Sequence, residues 1–123
     1  ERRSYNAVIN ARAKSDHPHA ADHASRIIEE MWERYNEGDE SLSPDKISYN
    51  SQIDAWSKSS DTNSGKRAED VLGEMWELHK KHPELNLRPN QRCYNAVINA
   101  WAKSDHPHAA DHASRIIEEM WER

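Results

Sequence analysis

The amino-acid sequence predicts an all-α fold, an α-solenoid of three helix-turn-helix repeats with six helices. Residues 94–123 repeat residues 5–34 with one change, in which Trp101 replaces Arg12. A more distant copy lies between them, and Tyr5, Tyr49 and Tyr94 stand 44 and 45 residues apart. Each copy also carries two apolar patterns of helical period. A fixed period of a few tens of residues is typical of repeats that bury their apolar faces only against their neighbours.

The repeats divide the chain into three parts of one solenoid segment. Repeat 1 spans residues 1–45, repeat 2 spans residues 46–90, and the shortened repeat 3 spans residues 91–123. Repeats 1 and 2 are each long enough for two helices and two connections. Because repeat 3 stops inside a predicted helix, we expect the segment to belong to a longer array.

The first helix of each repeat, helix A, is predicted from an apolar stripe at i, i+3, i+4, i+7 and i+8. In repeat 1 we expect this helix from about residue 4 to residue 15, and a helix of about three turns depends on packing for its stability. Arg12 stands where the other repeats have Trp56 and Trp101, which indicates that the first repeat has less to pack against at this position of helix A. The stripe positions are Tyr5, Val8, Ile9, Arg12 and Ala13, then Tyr49, Gln52, Ile53, Trp56 and Ser57, then Tyr94, Val97, Ile98, Trp101 and Ala102.

The second helix, helix B, has a stripe of its own in every repeat. In repeat 1 it is predicted to begin near Asp16, which can cap free N–H groups, with Pro18 in its first turn. It should run to about Tyr35, and Gly38 is the expected C-terminal cap. The tryptophans and methionines of both helices are expected in the core. The stripe consists of Ala24, Ile27, Ile28, Met31, Trp32 and Tyr35, then Ala68, Val71, Leu72, Met75 and Trp76, then Ala113, Ile116, Ile117, Met120 and Trp121.

Each full repeat closes on a proline and a short polar residue, Pro44-Asp45 and Pro89-Asn90. The proline cannot continue helix B, so the residue after it is expected to lead into the next helix A.

Composition excludes several classes of protein. The chain has 123 residues, of which 32% are charged, and no run of apolar residues approaches the roughly 18 that span a bilayer, so no membrane partner is expected. Its single cysteine, Cys93, excludes an internal disulfide. No Gly-rich phosphate loop, G-x-S-x-G turn or catalytic Cys/His arrangement is present. We therefore predict a protein that is not an enzyme, with no cofactor and no small-molecule substrate.

Charge is unevenly distributed along the chain. The helix A segments, residues 1–15, 46–60 and 91–104, carry a net charge of +6, whereas the remaining residues carry −11 and the whole chain −5. A negative protein would normally repel nucleic acid. Segregation of the charges nevertheless predicts a basic stripe on the A helices.

Three motifs in order resemble a pentatricopeptide repeat. Helix A resembles the family in Tyr49-Asn50-x-x-Ile53-x-Ala55-Trp56-x-Lys58, helix B in Ala68-x-x-Val71-Leu72-x-Glu74-Met75, and the closing pair in Pro89-Asn90. The resemblance implies a right-handed solenoid whose A helices bind single-stranded RNA at about one base per repeat, in a mitochondrion or plastid. The repeats here are longer than the family's by about nine or ten residues, which enlarges the loops at small thermodynamic cost.

The resemblance also implies which residues read the bases. The Asn after the Tyr and the residue that closes the repeat act together, so the pairs are Asn6 with Asp45 and Asn50 with Asn90. Asn95 is the third reader, and its partner would lie beyond residue 123. By the family's pairing rule, Asn with Asp prefers U, and Asn with Asn prefers C or U. Short amides and carboxylates supply the donors and acceptors that base edges need.

Two further sets of residues have alternative roles. Arg3, Ile47 and Arg92 stand where the family sandwiches the base, although an arginine there can equally be a solvated helix-start residue. Lys14, Lys58 and Lys103 recur at the end of each helix A. They can contact phosphates, or they can simply balance the negative end of the helix dipole.

Two other functions remain open. A helical scaffold for other proteins, or a structural subunit of a ribonucleoprotein, would use the same fold without reading bases. His17, His19 and His23, repeated as His106, His108 and His112, include a spacing that can chelate a metal, but the equivalent places in repeat 2 are Asp61, Asn63 and Arg67. We therefore favour a surface cluster and predict no metal site.

Overall fold

The computed structural model describes residues 1–15, 19–59 and 62–122, and within them it confirms an all-α fold with six α-helices. Two short 3-10 turns lie in the connections between repeats, at Glu40–Leu42 and Pro83–Leu85. The helices are α1 (Arg2–Ala13), α2 (Ala20–Asn36), α3 (Lys46–Lys58), α4 (Ser64–Lys81), α5 (Gln91–Lys103) and α6 (Ala109–Glu122).

The A helices pack side by side. Helix α3 contacts both α1 and α5, whereas α2, α4 and α6 each pack against the helix A that precedes them. Helices α2 and α4 also pack against the helix A that follows. Helices α3 and α5 begin directly after the predicted repeat boundaries at residues 45 and 90. The right-handed superhelix remains a prediction.

The closing residues of the repeats cap the next helix A. Asp45 is the N-cap of α3, and its carboxylate accepts hydrogen bonds from the backbone N–H groups of Ile47 and Ser48. The Ser48 hydroxyl in turn accepts the backbone N–H of Asp45, which completes a capping box. Asn90 caps α5 by accepting the N–H of Cys93 at 3.1 Å. These caps fix where each helix A starts.

Helix α2 ends just before Gly38, as the sequence predicted. Gly38 has φ of 115°, a left-handed conformation that a residue with a Cβ rarely adopts. Its N–H donates to the Tyr35 carbonyl, and the Asp39 N–H donates to the Arg34 carbonyl, which is a Schellman ending.

The start of helix B lies later than predicted. Helix α2 begins at Ala20, later than the predicted start near Asp16; Asp16 and Pro18, on which that prediction rests, lie outside the described residues. In repeat 3 the helix begins at Ala109, two residues after Pro107. The proline of this copy therefore stands in the connection rather than in the first turn.

Identical residues have different burial in repeats 1 and 3. Val8 is 48% exposed, whereas its counterpart Val97 is fully buried. The relation is reversed on the other side, where Ile28 is 4% exposed and its counterpart Ile117 is 40% exposed. Each repeat thus has a face toward the preceding repeat and a face toward the following one. The expectation of an inward stripe is therefore wrong at Val8, because no helix of the described chain covers that side.

The tryptophans follow the same rule. Trp56 and Trp101 are buried, and Trp32 and Trp76 are half-buried, as expected for core residues. Trp121 is 78% exposed because its helix has no following helix A in the described chain. Its assignment to the core is therefore wrong.

Candidate nucleic-acid interface

An open groove of about 1070 Å³ runs along α1 and α3 to the start of α5. The A helices beside the groove pack side by side, and α3 and α5 begin at the caps at residues 45 and 90. Six of the residues that the sequence singled out line it, namely Arg3, Asn6, Lys14, Ile47, Asn50 and Arg92.

The first pair of predicted base readers is in direct contact. The Asn6 side-chain amide donates to Asp45 Oδ1 at 3.2 Å. The Ser48 hydroxyl donates to Asn6 Oδ1 at 2.6 Å. Ser48 therefore fixes the orientation of the Asn6 amide, and one amide hydrogen is directed to the carboxylate.

The second pair is bridged by a thiol. Cys93 occupies the place of Ser48 in the next repeat, and its Sγ donates to the side-chain oxygen of Asn50. The same sulfur lies 3.2 Å from Asn90 Oδ1. Asn50 is only 7% exposed, whereas Asn90 and both members of the first pair are half-buried. The two junctions thus share one arrangement, in which a capping residue and an asparagine meet at the third residue of the next helix.

The remaining predicted residues are more scattered. Asn95 is exposed on α5 and is not among the residues that line the groove. Lys58 and Lys103 are the exposed last residues of α3 and α5, away from the groove lining. Lys14, directly after α1, does line it.

The arginines of the groove differ in their contacts. Arg92 donates to Asp54 Oδ2 at 2.8 Å, so part of its charge is balanced by the preceding helix A. Arg3 is exposed. Arg2 was not singled out from the sequence, but its guanidinium donates to the carbonyl and the hydroxyl of Ser43, both at 2.7 Å. Arg2 thereby ties the start of α1 to the connection before α3.

Sequence reasoning also missed Ser48 and Cys93, which orient the two asparagines. The available signal was a capping box, because each stands three residues after the short polar residue that closes a repeat. Neither residue was expected to contact a ligand, and in the structure both are fully buried against the asparagines.

Burial raises the pKa of the Cys93 thiol, so the neutral form is favoured and the sulfur acts as a hydrogen-bond donor. On the B helices, burial and the nearby Glu29 carboxylate raise the pKa of Glu74. The side chains that line the groove carry amide, hydroxyl, carboxylate and cationic groups.

The histidines of repeat 3 pack against aromatic rings. The His112 ring stacks on Trp101 with centroids 4.2 Å apart, and His106 meets the same indole edge-on at 5.4 Å. No group of three potential ligands in the described chain could hold a metal ion. His17 lies outside the described residues.

No protein-family model, curated protein or solved structure gave a match to this chain. The pentatricopeptide resemblance is therefore carried by the sequence motifs alone. No helix in residues 1–15, 19–59 or 62–122 is long and apolar enough to cross a membrane.

Proposed function

We propose that this chain binds single-stranded RNA in the groove along α1 and α3, in the manner of a pentatricopeptide protein. The observation that carries the proposal is the contact between Asn6, which lines the groove, and Asp45, whose carboxylate accepts from the Asn6 amide at 3.2 Å. The resemblance further suggests a role in RNA processing, stability or translation in a mitochondrion or plastid.

The chemistry of the first pair supports a preference for uracil. With Ser48 on its oxygen and one hydrogen on Asp45, the Asn6 amide keeps a second hydrogen for a base carbonyl. Asp45 Oδ2 can accept a hydrogen from a base, and the uracil edge presents such a carbonyl beside an N–H group. Asn90 at the second junction can offer either a donor or an acceptor, which fits C or U.

Positive charge in the groove supports contact with phosphates. Arg3 and Lys14 are exposed there, and Arg92 lies at its far end. Ile47 is an exposed apolar side chain in the same groove, where a base can pack on it. Stacking contributes about 1–3 kcal/mol per base, so a site for two or three bases should bind weakly and with strong salt dependence.

Fluorescence polarisation with labelled oligonucleotides tests this function. We expect oligo-U to bind more tightly than oligo-A, and the affinity to fall as salt is raised. Asp45→Asn is the informative variant because asparagine already caps α5 at Asn90. This variant should keep the fold and reduce the preference for U over C.

A pair of double variants separates the groove from general charge. Arg3→Gln with Lys14→Gln should weaken oligo-U binding about tenfold or more, since each phosphate contact contributes to affinity. Lys80→Gln with Lys81→Gln removes the same charge from the end of α4 and should have little effect. If neither oligonucleotide binds at any salt concentration, the RNA function is wrong and the protein scaffold becomes the better explanation.

A further inference from the structure

Asp54 and Arg92 join two neighbouring A helices at the far end of the groove. Asp54 lies in the third turn of α3, and Arg92 is the second residue of α5. Arg92 Nη2 donates to Asp54 Oδ2 at 2.8 Å. The arginine side chain is 67% exposed and lines the groove, whereas the aspartate side chain is only 28% exposed. The guanidinium is therefore open to a ligand in the groove while one of its N–H groups is held by the protein.

The charge of Asp54 is peculiar to repeat 2. It stands five residues after the tyrosine of its helix, where repeats 1 and 3 have Asn10 and Asn99. It is also the only acidic residue within α1, α3 and α5. Because asparagine has nearly the same shape as aspartate, what distinguishes repeat 2 at this position is a negative charge. The fold does not need that charge, since the other two A helices form without it.

A phosphate in the groove would compete with Asp54 for the same cation. A guanidinium binds carboxylate and phosphate through the same N–H donors, so the two anions are alternatives at one Nη atom. Two anions close to one another also repel, and a carboxylate that is mostly covered by protein is screened less by salt than an exposed one. Arg92 should thus contribute less to phosphate binding than its exposure suggests.

We propose that Asp54 is an intramolecular competitor of the RNA backbone for Arg92, and that it lowers the affinity of the groove at the junction between repeats 2 and 3. This role rests on the RNA-binding function proposed above and names the residue that limits it. Asp54 lies outside the two reading pairs, so it changes how tightly a strand is held and not which base is preferred.

Fluorescence polarisation with labelled oligo-U tests this role through Asp54→Asn, which installs the residue of repeats 1 and 3. Affinity should rise about three- to tenfold at low salt. The slope of log affinity against log salt should steepen by about 0.7, because one further phosphate contact releases its counterions. The preference for oligo-U over oligo-A should stay the same. Exposed ion pairs contribute little to stability, so the variant should fold, and its melting temperature shows whether it does.

Two further variants show whether the gain comes from Arg92. In an Arg92→Gln background, Asp54→Asn should change the affinity by less than about twofold, since no cation remains to be released. Glu77→Gln removes the same charge from another ion-paired carboxylate, which lies 3.6 Å from the Lys80 ammonium on α4. It is the matched control for net charge and should bind like the unmodified chain.

The outcomes separate the role of Asp54 from the RNA function itself. An unmodified chain that binds oligo-U, with an Asp54→Asn variant that binds equally or more weakly, overturns this role and leaves RNA binding in place. Weaker binding would mean that Asp54 holds the guanidinium flat for a base to stack on it. A gain that persists in the Arg92→Gln background, or that Glu77→Gln reproduces, also overturns the role, because general charge would then explain the effect. Oligo-U binding by neither chain overturns both.

Discussion

The Trp32 indole nitrogen donates a hydrogen bond to the Tyr49 hydroxyl across the junction between repeats 1 and 2. Tyr49 is fully buried, so its hydroxyl is hydrogen-bonded to the Trp32 indole instead of to water. Because Trp76 and Tyr94 repeat the contact at the next junction, the same Trp–Tyr hydrogen bond accompanies the apolar packing each time.

Tyr49→Phe removes the acceptor and leaves the Trp32 N–H without it. We expect a loss of about 1–2 kcal/mol in the free energy of unfolding, measured by urea denaturation. Tyr5→Phe is the control, because the described chain places no tryptophan against Tyr5, and it should change stability by less than about 0.5 kcal/mol. Equal losses in the two variants would contradict a role for the bond.

Two glycine substitutions should have opposite signs. A Cβ on Gly65 would lie 2.5 Å from the Trp101 ring, so Gly65→Ala forces the indole or α4 to move. Overpacking of this kind costs about 1–3 kcal/mol. Gly73 is exposed within the same helix with nothing within 4 Å of such a Cβ, so Gly73→Ala should stabilise by about 0.5–1 kcal/mol. Thermal unfolding of both variants checks the contrast.

Truncating matched isoleucines tests whether burial comes from the neighbouring repeat. Ile28→Ala should cost about 2–5 kcal/mol because the side chain is buried against α3. Ile117→Ala alters the same sequence context in repeat 3, where the side chain is 40% exposed, and should cost less than about 1 kcal/mol. The comparison is made at low protein concentration. A larger loss at residue 117 would mean that the faces have been assigned the wrong way round.

Cys93 should behave as a buried hydrogen-bond donor. Cys93→Ser reproduces the serine of the first junction and should be nearly neutral, whereas Cys93→Ala leaves Asn50 without its donor and should cost about 1–3 kcal/mol. The thiol should react with a disulfide reagent only as the protein unfolds, since it is buried and its pKa is raised. Rapid labelling of the folded protein would contradict this assignment.

Alkaline pH should destabilise the fold through two buried groups. Burial raises the pKa of Tyr49 above the ordinary 10.0 and that of Cys93 above the ordinary 9.0. Above these ordinary values the unfolded chain loses protons that the folded chain keeps, so the free energy of unfolding falls as pH rises. Urea denaturation at a series of pH values measures the slope, and the Tyr49→Phe, Cys93→Ser double variant should show a smaller one.

The six helices were predictable because three copies of one pattern agree. Periodicity in Ile27, Ile28 and Met31 is repeated at Val71, Leu72 and Met75, and chance does not repeat it. The start of helix A after Asp45 and after Asn90 followed from the proline before each of them. Local signals of this kind need no knowledge of the neighbouring helix.

The exposure of Val8 and Trp121 was less predictable, because period alone assigns a residue to a face but does not say whether another helix covers that face. The candidate groove shows the same limit. Its asparagines were found by resemblance, whereas Ser48 and Cys93 reach them from the next repeat, at sequence separations of 42 and 43 residues. Contacts over such distances appear only once the helices are packed.

The caps at residues 45 and 90 also bear on how the chain tolerates insertion. Asp45 has φ −131° and ψ −173°, and Asn90 has φ −119° and ψ −179°, although the connections before them bend differently, with the positive-φ residue at Gly38 in one and at Asn86 in the other. The backbone therefore enters each helix A in the same direction whatever path precedes it. A fluorescent reporter or an affinity tag placed at Glu84 would be decoupled from the groove, which no residue of that connection lines, so this connection is the natural attachment point for single-molecule work.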